Sequence, residues 1–161
     1  MSLIIDGSNG LTFPNSTTQA SAGQVLQVVN AFDQTYGSTT STSYVDSPLS
    51  ATITPKFSNS KILVIATVTA GASGGRGGSV RVVRGATTVN AFANGTGQNN
   101  AGSTYDTQAI GFSMTYLDSP ATTSATTYKL QYAAISGTLL YNWYDNSPIA
   151  ASTLTLMEIA A

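Results

Sequence analysis

Apolar residues in this chain recur at every second position over short stretches and never hold a helical spacing for long. Across residues 126–134 the alternation puts Tyr128, Leu130 and Tyr132 on one face. Residues 109–117 do the same with Ile110, Phe112, Met114 and Tyr116, and residues 151–159 with Leu154, Leu156 and Glu158. A period of two marks a half-buried strand, because successive side chains of a pleated backbone point to opposite sides. Residues 79–84 alternate too, and Gly85-Ala86 reads as a hairpin turn into residues 87–92. Residues 61–69 (KILVIATVT) differ, since their apolar run is nearly unbroken. That run predicts a strand covered on both faces. Residues 25–32, and residues 43–53 with an interruption at Pro48, read as further strands. Gly137 is expected to open a hairpin into residues 139–144.

Clusters of Gly, Ser, Asn and Pro separate these stretches. Residues 71–78 form a Gly-rich connector, residues 94–106 a polar loop, and Asp118-Ser-Pro120 a strand end. About eight to ten short strands at this spacing predict an all-β protein, a β-sandwich with a jelly-roll-like topology. An immunoglobulin-like sandwich is the alternative, but its Cys…Trp…Cys signature is missing. Residues 1–23 read as an extended N-terminal arm and residues 24–161 as the sandwich module. The arm carries Leu3, Ile4, Ile5, Leu11 and Phe13 among turn-forming Gly, Asn and Pro. Such a segment cannot bury enough apolar surface alone, so it is expected to pack on a partner.

Composition narrows the chemistry. Charged residues are 8% of the chain, and Ser, Thr, Asn, Gln and Gly take their place on the polar faces. There is no His and no Cys. Ser-His-Asp and Cys-His catalysis are therefore excluded, as are the usual zinc and copper sites and any disulfide. The acidic residues are scattered and mostly lie at turn signals, without the carboxylate pair of a glycosidase. The residues 74–78 (GGRGG) are not followed by Gly-Lys-[Ser/Thr], so they are not a phosphate loop. No enzyme activity, cofactor or metal is expected.

Arg76, Arg81 and Arg84 are close enough in sequence to share a face, but they make no dense basic stripe, so no nucleic acid partner is expected. No run approaches the roughly 18 apolar residues of a membrane helix, and the first six residues lack the basic region of a signal peptide. Tyr141, Trp143 and Tyr144 stand together around Asn142. Aromatic residues of this kind serve as core, as subunit interface or as receptor contacts, and alternation predicts that at least one faces outward.

Three stretches carry a resemblance. Residues 6–19 (DGSNGLTFPNSTTQ) resemble a G-x-x-G-[IL]-x-F-P-D-G-T-T-Q segment of phage tail-fibre proteins. Residues 23–29 (GQVLQVV), 42–46 (TSYVD) and 50–55 (SATITP) resemble a module of marine and cyanobacterial phage fibres, and residues 152–160 (STLTLMEIA) are similar to its end. Residues 71–150 match only in general pattern. Asn15-Ser16 stands where the family has Asp-Gly, and no shaft separates the arm from the module. The resemblance implies a structural protein on the surface of a phage particle, homotrimeric, bound to other virion proteins and without a cofactor. A short tail fibre or knob that contacts the host receptor fits the length. The alternatives are a capsid decoration protein and a module that binds a host surface glycan.

Overall fold

The computed structural model describes residues 4–6, 10–12, 18–19, 23–74, 78–91, 110–143 and 150–161. Every regular element among them is a β-strand. In the arm, β1 (Ile4–Asp6), β2 (Gly10–Thr12) and β3 (Thr18–Gln19) pair antiparallel with one another, with Ile5 opposite Leu11 and Leu11 opposite Gln19. The rest builds two antiparallel sheets packed face to face, a β-sandwich.

The first sheet contains β4 (Val25–Asp33), β5 (Gly37–Thr39), β7 (Lys61–Ser73), β10 (Ile110–Asp118), β12 (Thr138–Tyr141) and β13 (Ser152–Ile159). The second contains β6 (Val45–Ile53), β8 (Gly78–Arg84), β9 (Thr87–Ala91) and β11 (Thr126–Ala134), in the order β6-β11-β8-β9. In the first sheet β12 and β13 lie end to end along one edge of β7, and β10 lines its other edge. Beyond them, β5 pairs with β12 and β4 with β13. The sheet therefore has four rows, two of them interrupted.

The pairing is nested. The hairpin β8–β9 is innermost, closed by Gly85 at φ 58°. Around it β7 pairs with β10, β6 with β11, and the β4–β5 row with the β12–β13 row. One long antiparallel ribbon has been rolled so that its successive rungs fall into two sheets. The roll brings the inward positions together: Ile62, Val64, Ala66, Val68 and Ala70 of β7 meet Leu49 and Ile53 of β6, Val80 and Val82 of β8, and Tyr128 and Leu130 of β11. Burying side chains of this size stabilises by roughly 1.5–3 kcal/mol each.

Several expectations need correction. The alternation of β11 and β13 is as read, with Tyr128, Leu130, Leu154, Leu156 and Glu158 all inward and buried. The apolar run of residues 61–69 is not buried on both faces. Leu63 and Ile65 face out and are half-buried, while Thr67 is exposed. The Gly-rich connector is shorter than expected, because β7 continues through Gly71 to Ser73 and β8 starts at Gly78. Gly78 is required there by close packing: a Cβ would clash with the Ala133 carbonyl oxygen and the Leu139 side chain. Gly137 does not open a hairpin. It links β11 in one sheet to β12 in the other, at φ 71°, where a Cβ would meet the backbone of Ser73 and Gly74. Pro48 does not end its strand. β6 is an edge strand, and Pro48 falls in the register irregularity opposite Leu130, where its missing N–H leaves no rung empty.

Candidate functional site

Three buried polar clusters and two outward faces carry the chemistry of the sandwich. The first cluster fills the interruption of the first sheet. Asn142 follows β12 at φ 52°, a left-handed conformation that Asn adopts more readily than most residues. It is fully buried. Its backbone N–H donates to the Thr69 carbonyl at 2.9 Å, which extends the β12–β7 ladder by one rung. Its amide Nδ2 donates to the Asp33 carbonyl, the Asp33 carboxylate and the Thr35 carbonyl at 2.9–3.1 Å. The Ser152 hydroxyl donates to its Oδ1 at 2.6 Å and accepts the Thr69 N–H at 3.2 Å. One side chain thus joins the end of β4, the link to β5, the start of β13 and the middle of β7.

Tyr141 belongs to the same cluster. Its ring stacks on Tyr132 at a centroid distance of 5.4 Å, and its hydroxyl donates to Asp33 at 2.9 Å. Burial first, and then the bond to the Asp33 carboxylate, push its pKa well above the ordinary tyrosine value. Tyr141 and Trp143 are 1% and 8% exposed, so both are packed inside this chain and out of a receptor's reach. Alternation has Tyr141 and Trp143 on one face, as found; what departs from it is Asn142, buried between them because its left-handed turn breaks the pleat. Tyr144 lies outside the described residues, as do Leu3 and Phe13. Ile4 and Ile5 stand on β1 and Leu11 on β2, in the small arm sheet.

The second cluster ties the sheets together near the other end. Asp118, the last residue of β10, accepts from Arg84 Nε at 2.6 Å and from the Tyr128 hydroxyl at 2.7 Å. Arg84 and Tyr128 belong to the second sheet. Burial raises the Asp118 pKa, but the hydrogen bonds from Arg84, Tyr128 and the Ser119 N–H outweigh it and leave the carboxyl below its ordinary value. Arg84 thus points inward beside Tyr128 while Arg81 points outward beside Gln131, so the two do not share a face. Arg76 lies outside the described residues.

Glu158 forms the third cluster and is fully buried. Gln27 Nε2 donates to its Oε2 at 2.6 Å, and the backbone N–H groups of Lys56 and Phe57 donate to Oε1 at 2.7 and 3.4 Å. Burial raises this pKa as well, yet the hydrogen bonds bring it below the ordinary glutamate value. Glu158 and Asp118 flank Ile62 on one cross-strand rung, and each is held by its own donors. Sequence reading put Glu158 on the inward face without finding a partner for it, and assigned Asp118 only to a strand end.

These clusters give two predictions. Tyr128→Phe removes one hydrogen bond to a carboxylate and should cost about 1.5–3 kcal/mol. Urea denaturation of the two proteins measures it, and an unchanged midpoint would show that Arg84 alone holds Asp118. The second concerns pH. Glu158 and Asp118 have lowered folded pKa values, so the stability they contribute is present above their unfolded values of 4.5 and 3.8 and is lost as pH falls further. Tyr128 and Tyr141 have raised values, so their contribution holds below pH 10 and is lost above it. With no His to titrate between, the melting temperature should be level from about pH 5 to about pH 9 and fall on both sides. A slope inside that window, measured by circular dichroism, would contradict this.

The outward faces differ. On the second sheet Asp46 accepts from Lys129 Nζ at 2.9 Å and from Gln131 at 2.6 Å, Gln131 accepts from Arg81 at 2.8 Å, and the Arg81 guanidinium lies 3.9 Å over the Tyr44 ring. The outward face of the first sheet presents Val25, Val28, Phe32 and Leu117, each more than half exposed. Among the described residues no three metal-binding side chains cluster, and no helix is long and apolar enough to cross a membrane. No family model matches the chain, and no curated protein matches it either.

Proposed function

We propose that this chain is a structural, non-enzymatic protein of a bacteriophage particle. Its sandwich is displayed on the particle surface as a homotrimer, and its arm attaches it to other virion proteins. The observation that carries this reading is the division of the chain. A rolled sandwich with its own core follows a short arm whose strands β1, β2 and β3, among the described residues, pair with one another and not with the two sheets. The resemblance of residues 6–19 and 23–29 to phage fibre segments falls on that arm and on the first strand behind it. The nested strand order supports a jelly roll, a topology that recurs in viral capsid proteins and lectins. A short tail fibre or knob remains the preferred role and a capsid decoration protein the alternative. The glycan-binding reading is weaker, because Tyr141 and Trp143 are buried and one face of the Tyr44 ring is covered by Arg81.

The test is sedimentation with particles that lack the protein. Full-length chain should pellet with them, and a form without residues 1–22 should stay in the supernatant while it still melts cooperatively. Equal pelleting of both forms would move the anchor to the sandwich. Absence of the protein from purified particles would overturn the proposal.

A further inference from the structure

The outward face of the first sheet breaks the rule that the second sheet keeps. On the second sheet, outward positions of paired strands are Asp46 beside Gln131 and Arg81, and Ser50 beside Lys129. On the first sheet, one cross-strand rung reads Val28, Met157, Leu63 and Leu117 from one edge to the other. The next rung continues with Val25 and Ile159. Val25, Val28 and Leu117 are 54%, 54% and 51% exposed in the single chain, so this apolar band faces water. Soluble monomers rarely leave such contiguous bands uncovered. The geometry points to a second copy of this chain as the partner that covers it, with the outward face of β4, β13, β7 and β10 as the surface of self-association.

Charge selects that occupant. The charged side chains on the rim of the band are Lys61, whose Nζ donates to the Ser119 hydroxyl at 2.8 Å, and Lys56, whose Nζ donates to the Leu26 carbonyl at 3.3 Å. The rungs inside that rim carry no charge, so two copies can meet through them with little like-charge repulsion, and the sparse rim lysines are no basic footprint for nucleic acid or an acidic peptide. Size agrees. Four rows about 4.8 Å apart and about nine residues long at about 3.3 Å each give a flat footprint of roughly 550 Å². Side-chain relief, with Phe32 exposed at the far end, carries this toward the roughly 800 Å² per partner of a stable interface. The contact would repeat what the chain does internally, one sheet packed on another through alternate side chains. It would also account for the nearly unbroken apolar run of residues 61–69, whose outward half is left open in the single chain. This inference stands on the face alone and holds whether or not the protein belongs to a particle.

Light scattering on the full chain at micromolar concentration tests it. The wild type and a Thr52→Lys control, changed on the opposite face, should both have a mass that is a multiple of 16.5 kDa. A Val28→Lys, Leu117→Lys double variant should fall to 16.5 kDa with the same far-ultraviolet circular dichroism spectrum. A wild type that is already monomeric, or a double variant that keeps the wild-type mass, would overturn the inference. Since the chain has no Cys, single-cysteine forms give a second reading if the double variant fails to fold. A short bis-maleimide should join Val28→Cys chains into covalent dimers and leave Thr52→Cys chains single, and the reverse pattern would overturn it.

Discussion

Asn142→Ala is expected to lower the stability of the folded chain by about 3–5 kcal/mol, one of the two largest effects for a single substitution in this molecule. Three losses combine. The Asp33 and Thr35 carbonyls and the Asp33 carboxylate lose the donor that satisfies them, and the Ser152 hydroxyl loses its acceptor. An unsatisfied buried polar group costs about 1–3 kcal/mol, although not all these groups are left without any partner. Tyr141 and the Thr35 N–H still bind Asp33. Alanine must also adopt φ 52°, at a further cost of about 1 kcal/mol. For a chain of this length the melting temperature should drop by about 10–15 °C. Asn142→Gly separates the terms, since glycine accepts the backbone conformation but restores no hydrogen bond. It should recover about 1 kcal/mol over alanine and no more. A glycine variant as stable as the wild type would mean that the side chain does not hold the interrupted rows together.

Glu158→Leu should cost about 2–3 kcal/mol, although leucine continues the apolar series of Leu154 and Leu156 on the same face. The reason lies in the groups left behind. The Lys56 and Phe57 N–H groups and the Gln27 amide converge on the carboxylate, and Gln27 also donates to the Thr54 carbonyl at 2.7 Å. Removing the acceptor leaves these part-buried donors without their partner and frees the turn between β6 and β7 from the sheet. Glu158→Gln keeps an acceptor for the two backbone groups but sets an amide N–H against Gln27. It should therefore lose about 1 kcal/mol. It should also shrink the loss of stability at acid pH, because the group with the lowered pKa is gone. Guanidinium denaturation of the three forms at pH 7 and pH 4 measures both effects. A leucine variant as stable as the wild type would show that hydrophobic burial at this position outweighs the polar contacts.

What the residues determine alone is the content of single strands. Alternation is a property of the pleat, so it placed Tyr128, Leu130, Leu154, Leu156 and Glu158 on inward faces with no knowledge of their neighbours. Gly85 marked the innermost hairpin because two strands joined by a two-residue turn are local. The absence of His and Cys removed whole classes of chemistry before any geometry was known. Only tertiary structure decided which strand lies in which sheet. β4 pairs with β13 across more than a hundred residues, and no local pattern encodes so distant a register. For the same reason Asp118 gave no sign of its clamp on Arg84 and Tyr128, which come from the opposite sheet. The left-handed turn at Asn142 reset the alternation: Tyr141 and Trp143 lie inward together, as a period of two has them, but Asn142 between them is buried as well, where a regular pleat would turn it outward. The run of residues 61–69 shows the limit most plainly. Its composition specifies a strand that favours apolar surroundings on both sides, and the folded single chain supplies only one of them.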